Sequence, residues 1–293
     1  MKIFKTLLLA CAIALCASPG HASETADSAA APVRPVLSAY TAEVGKAHLA
    51  DTYLTPLFYD GWHVGLGYER MQAMKFDPRR WVMQLSADVV ADHTQNRGHN
   101  SVMWNLEANV RWGMMRRWAD CFAVDGLTLG IGPATEVRAG ALYLSRNGNN
   151  PASAKGAWTV NAQGYAAYGM RIGRLPVCFR YECSLPVTGI FFAPQYGELY
   201  YEIWLGDRSG LVRGAWWGNY FRMDNRLTAD LRFGGTALRL GYHADVISTK
   251  ASGVVSRRVT HAFTIGVTTE WISLSPRRKA DSQAEIISAL YSY

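Results

Sequence analysis

The sequence predicts an all-β protein, a transmembrane antiparallel up-and-down β-barrel of 12 strands, or of 10 if one central hairpin is a loop. Three observations carry that expectation. Apolar and polar residues alternate with period two along the chain, and no long helical stripe competes. Many of the alternating runs reach 12 or more residues, against about 5–6 in soluble strands. Trp and Tyr recur near the ends of the apolar faces, while the polar faces carry Arg, Glu, Asn and Gln, as a lumen would. An open sheet edge in lipid would strand backbone N–H and C=O groups at several kcal/mol each, so such a sheet must close on itself.

The chain begins with an address rather than with fold. Lys2 and Lys5 precede an apolar run from Thr6 to Ser18, and Gly20-His21-Ala22 places small residues at a cleavage position. Residues 1–22 are therefore expected to be a cleaved signal peptide, with Ser23 starting the mature chain. The run is shorter than the roughly 20 residues of a spanning helix. Leu8-Leu9-Ala10-Cys11 resembles a lipoprotein site, but cleavage there would leave too short an apolar core. Residues 23–37, rich in Ala, Ser and Pro, read as a flexible periplasmic leader to a barrel spanning 38–274.

The expected strands follow in order. The first covers about 38–49 and the second 61–74, where Trp62, Val64, Leu66 and Tyr68 oppose His63, Gly65, Gly67 and Glu69. At 81–92, Trp81, Met83, Leu85, Ala87 and Val89 oppose Val82, Gln84, Ser86, Asp88 and Val90. The cleanest alternation is at 101–115, where Trp104, Leu106, Ala108, Val110 and Trp112 oppose Asn105, Glu107, Asn109, Arg111 and Gly113. Strands at 126–145, 157–172 and 175–188 continue the series. A hairpin of 199–205 and 211–219 around Asp207-Arg208-Ser209-Gly210 would supply the two strands that separate 12 from 10. The last three lie at 225–233, 236–248 and 259–274, and residues 275–293 form a periplasmic tail, helical or loose.

Connections at 75–80, 173–176 and 233–236 are short, whereas 93–100, 146–156 and 250–257 are longer and polar. Short turns inside and long loops outside place both termini in the periplasm of a bacterial outer membrane. The expected partners are outer-membrane lipid and the barrel-assembly machinery. Thr264-x-Gly266 with Trp271 partly matches the insertion signal that the machinery reads.

Composition narrows the function. Loss of Lys2 and Lys5 lowers the formal charge from +7 to +5, and the arginines are dispersed rather than clustered, which argues against nucleic acid. Cys121, Cys178 and Cys183 are an odd number, so disulfides do not frame the fold. No Cys-x-x-Cys or paired His stands at ligand spacing, so neither metal nor cofactor is expected. His243 and Asp245 share a lumen face in the outer half, with Asp88 and Asp92 at similar depth, and such a set could activate water at the rim. The alternative is a ladder of paired charges filling the lumen. Ser248 lies on the opposite face from His243, which excludes a Ser/His pair within that strand. Tyr196, Tyr200, Trp216 and Trp217 are candidates for binding a sugar or lipid, or else belong to an aromatic girdle. The expected role is non-enzymatic (structural, narrow pore or uptake partner), with a rim hydrolase acting on lipid, glycan or peptide as the alternative.

The run Phe192-Ala193-Pro194-Gln195-Tyr196-Gly197-Glu198-Leu199-Tyr200-Tyr201-Glu202-Ile203 is followed by Gly218-Asn219 and Leu238-x-x-Gly241-Tyr242. With Tyr53-Leu54-Thr55-Pro56-Leu57 and the glycine-spaced run ending at Glu69, it resembles an uncharacterised outer-membrane barrel family, a domain of unknown function. The resemblance covers residues 45–274 and implies a barrel, with no activity or catalytic residues.

Overall fold

The computed structural model describes residues 32–148, 150–197, 200–206, 210–272 and 285–291. The expected signal peptide, leader residues 23–31 and tail residues 275–284 lie outside the described residues. Eleven strands form one antiparallel sheet: β1 (Val36–Asp51), β2 (Thr55–Ala73), β3 (Trp81–Asn96), β4 (Val102–Trp118), β5 (Leu127–Leu144), β6 (Ala152–Ile172), β7 (Leu175–Phe192), β8 (Val212–Ala215), β9 (Tyr220–Phe233), β10 (Thr236–Ala251) and β11 (Val254–Trp271). Except for β8 and β9, neighbours in sequence pair with one another, β9 pairs with β7, and β1 pairs with β11 from Val36↔Trp271 to Asp51↔Ser256. The sheet is thereby closed.

The wall has ten strands, not twelve. β7 pairs directly with β9, from Val177↔Leu231 to Ser184↔Asp224, so no gap remains for a further hairpin. Residues Tyr200–Leu205, expected as a strand, form the short helix α1, because no strand edge is free to pair with them. Of the expected strand 211–219 only β8 is extended, and it pairs with the upper end of β7. Trp216 to Asn219 then turn back, with the Asn219 side-chain oxygen accepting from the Trp216 N–H at 2.9 Å.

Strand β4 decides which face is which. Trp104, Leu106, Val110 and Trp112 are 48, 60, 49 and 43% exposed, whereas Asn105, Glu107, Asn109 and Arg111 are 3, 5, 4 and 2% exposed. The polar side is inside and the apolar side outside, the inverse of a soluble barrel and the arrangement that a bilayer selects. Trp62, Trp104 and Trp158 ring the outer surface toward one end, and Trp112, Tyr168 and Trp271 toward the other. Wall strands of 14–21 residues exceed the roughly 9–11 that cross a bilayer at a tilt, so they project beyond the apolar band.

The two mouths differ. At the mouth where β1 begins and β11 ends, residues 285–291 return to the barrel. Ile286 bridges Val33, and Ala289, Leu290 and Tyr291 are buried against Leu37, Met71, Val82, Met115, Tyr165 and Cys178. The Tyr291 hydroxyl donates to Asp230 Oδ2 at 2.8 Å, its ring lies 4.2 Å from the Arg232 guanidinium, and Arg117 Nη1 donates to the Ser288 carbonyl at 2.6 Å. The tail was expected to be loose or helical; its described part is instead an apolar stopper. Alternation does not report it, because the segment pairs with no strand of the wall. A chain ending at Ala284 should therefore expose Cys178, now 5% accessible. Its maleimide reactivity should rise at least tenfold, and an unchanged rate would show that the stopper does not cover the thiol.

Candidate functional site

Between the mouths the lumen is filled with charge. Among the described residues seven arginines, four of them near the stoppered mouth or at mid-height and three above, face ten carboxylates and two histidines. Near the stopper, Arg180 donates to both oxygens of Glu69 at 2.8 and 2.7 Å. Arg239 holds both oxygens of Asp230 at 2.7 Å and reaches Glu69 at 2.5 Å. At mid-height Arg111 donates to Asp224 at 2.9 Å, and Arg226 reaches Asp88 at 3.0 Å and Asp224 at 3.3 Å. Above them Arg222 joins Asp245 at 2.8 Å to Glu136, Arg258 joins Asp245 at 2.6 Å to Glu107 at 2.9 Å, and Arg138 closes on Glu107. Arginine suits these positions because its planar fork serves several carboxylates at once.

A carboxylate–imidazole chain draws on five strands, β3, β2, β1, β10 and β9, at mid-height. Asp92 Oδ1 lies 2.6 Å from His63 Nδ1, and His63 Nε2 lies 3.0 Å from Glu43 Oε1. Glu43 Oε2 lies 2.8 Å from His243 Nδ1, and His243 Nε2 lies 3.2 Å from Asp224 Oδ1. Each ring thus meets a carboxylate at both of its nitrogens. Gly65 makes room for this chain, since a Cβ there would stand 2.7 Å from Glu43 Oε1.

The four candidate residues for rim chemistry are brought into this lattice but not to the rim. His243 stands halfway along β10 and is buried, with Glu43 and Asp224 as its partners rather than Asp245, Asp88 or Asp92. Asp245 is taken by Arg222 and Arg258, Asp88 by Arg226 and Asn109, and Asp92 by His63 and Asn105. His243 lies eight residues before the end of β10 at Ala251. Glu43, His63 and Asp224, which complete the chain, were not singled out in the sequence. Their signal was present in the alternation, but the pairing depends on register between strands.

The free space is divided accordingly. Two small cavities, of about 10 and 30 Å³, lie in the lumen, with Arg226 and His243 lining both. A wider one, of about 70 Å³, lies open at the end remote from the stopper. Leu49, Leu142, Phe191, Ile247 and Val254 line its walls, and Glu107, Arg138, Tyr220 and Arg258 its floor. The 193–219 connection overhangs it through Ala193 and Pro194.

The aromatic candidates stand around this cavity rather than in it. Tyr196, Trp216 and Trp217 are exposed and do not line it, and the Trp217 ring nitrogen donates to the Pro186 carbonyl. Tyr200 on α1 braces the rim, its ring 6.0 Å from Tyr53 and its hydroxyl accepting from the Ala154 N–H at 2.6 Å. Burial pushes the Tyr200 phenol up to about 12, so it stays a neutral hydroxyl. The residues that the sequence did not reveal are the cavity's own, because Leu49, Phe191, Ile247 and Val254 come from separate strands and read locally as ordinary strand residues.

A family model described as "Protein of unknown function (DUF3316)" matches residues 5–278. The chain belongs to this family. The match ends before residues 285–291. No curated protein matches the sequence. Among solved structures, the outer membrane protease OmpT of Escherichia coli is similar at 7% identity and a TM-score of 0.36, over 82% of this chain and 97% of that one. The transport unit of the autotransporter AIDA-I of Escherichia coli is similar at 7% identity and 0.35, over 82 and 90%. The COG4313 outer membrane channel of Pseudomonas putida F1 is similar at 8% identity and 0.32, over 85 and 100%.

Proposed function

We propose that this protein is a non-enzymatic barrel of the bacterial outer membrane, sealed against free diffusion, that receives a small molecule at its extracellular mouth. Both termini lie in the periplasm, since ten strands return the chain to the side on which it began. Outer-membrane lipid surrounds the apolar face, and the barrel-assembly machinery inserts it.

The observation that carries the reading is the filled lumen. Arginine–carboxylate pairs occupy it at every height, and residues 285–291 cover its lower mouth. An open pore would need water and ions in that space. A hydrolase would need an imidazole free to take a proton beside an accessible substrate. His243 is clamped on both nitrogens below the open cavity, which favours binding over turnover. The cavity itself has the predominantly apolar walls and the few polar groups that ligand sites share.

Recording from planar bilayers tests the sealed lumen. The full chain should insert and give no unitary current steps in 1 M KCl. Reproducible steps from the refolded protein would overturn this reading in favour of a narrow pore.

A further inference from the structure

We propose that the mouth cavity binds a single-chain amphiphile with an anionic head, a deepening that rests on the mouth-site reading above. Charge assigns the head. Arg138, Lys155, Arg257 and Arg258 line the cavity against one carboxylate, Glu107. Asp51 and Asp245 reach Lys155 and Arg258 at 2.5 and 2.6 Å without lining it themselves, and Asp245 is shared with Arg222. Positive charge remains in excess at the surface of the cavity.

Arg258 is the group to which the head would bind. Its side chain is 8% exposed, and its Nη2 holds Glu107 and Asp245. Nε and Nη1 make no hydrogen bond among the described residues, and the nearest carboxylate oxygen to Nη1, on Asp92, is 3.8 Å away. Buried guanidinium donors without partners are costly, and an anionic head that reached either of them would relieve part of that cost. Above the floor the cavity is apolar up to its open mouth, so a chain extending from that head meets hydrocarbon along its length. A sugar would leave its hydroxyls unpaired against these walls.

The full chain in nanodiscs of zwitterionic lipid is titrated with 11-(dansylamino)undecanoate, followed by its fluorescence, and then challenged with competitors. Dodecanoate and dodecyl phosphate should displace the probe, and dodecyltrimethylammonium should not. Tighter binding of dodecanoate would point to a free fatty acid, and tighter binding of dodecyl phosphate to a phosphorylated lipid. Arg258→Gln should weaken probe binding at least tenfold. Ala157→Trp, which fills the space beside Phe191 and Tyr220 while keeping every charge, should abolish it. Displacement by the cationic and anionic competitors alike, or full affinity in Arg258→Gln, would overturn the anionic class and leave the mouth site standing. Absence of binding, or equal binding in Ala157→Trp, would overturn the mouth site as well.

Discussion

Replacing Arg222 with methionine should destabilise the folded barrel by about 3–5 kcal/mol, because removal of one partner from a buried ion network leaves uncompensated charge. Arg222 lies between Asp245, at 2.8 Å, and Glu136, with Asp224 3.7 Å from Nη2. Three carboxylates would lose a cation at once in a lumen closed at one end. Glu136 would retain Asn161 at 2.9 Å and Arg111 at 3.7 Å, which holds the loss within that range. The control is Arg79→Met, which breaks only the exposed pair with Glu285 and should leave the stability almost unchanged. Urea unfolding in lipid vesicles, followed by the heat-modifiable band in SDS electrophoresis, measures both. Equal midpoints for the two variants would mean that the lumen charges are solvated, as in a wet pore.

The second large effect lies one wall thickness away. Ala108→Arg places a charge on the outer face of β4, between Leu106 and Val110 and beside Ala139 and Val89. At mid-bilayer this should cost about 2–4 kcal/mol and reduce the folded fraction in membranes. Arg at the next position, Asn109→Arg, enters the lumen beside Asp88, which now accepts from the Asn109 amide at 3.2 Å. The Asp88 carboxylate beside it should make that change milder. The comparison separates bilayer from lumen with a single residue of spacing.

The wall was legible because each strand has to present one face to hydrocarbon and the other to the interior, so alternation is written into every strand. Trp104 to Trp112 on β4 announced their faces correctly, as did Glu107 and Arg111 opposite them. Strand number was harder. Tyr200 to Leu205 and Val212 to Ala215 have strand-like composition, and only the β7–β9 pairing shows that the wall is complete without them. The site was legible in kind but not in arrangement. His243, Asp245, Asp88 and Asp92 were visible as lumen residues, yet Arg111 meets Asp224 across 113 positions of sequence. Such partners are set by barrel diameter and strand stagger, which no local pattern encodes. The stopper was least visible of all, since Ala289 to Tyr291 are an ordinary short run until the lower mouth is built around them.

Thiol scanning at Ala108 and Asn109, in a chain with Cys121, Cys178 and Cys183 replaced by serine, tests the sealed and inverted barrel most directly. Ala108→Cys, labelled with a fluorophore before refolding, should be quenched by nitroxide lipid placed in the bilayer core. Asn109→Cys, refolded without label, should resist a membrane-impermeant maleimide added from either side, because arginine–carboxylate pairs lie above it and residues 285–291 lie below. Absence of quenching at position 108 would contradict the lipid-facing wall. Rapid labelling at position 109 would contradict the sealed lumen.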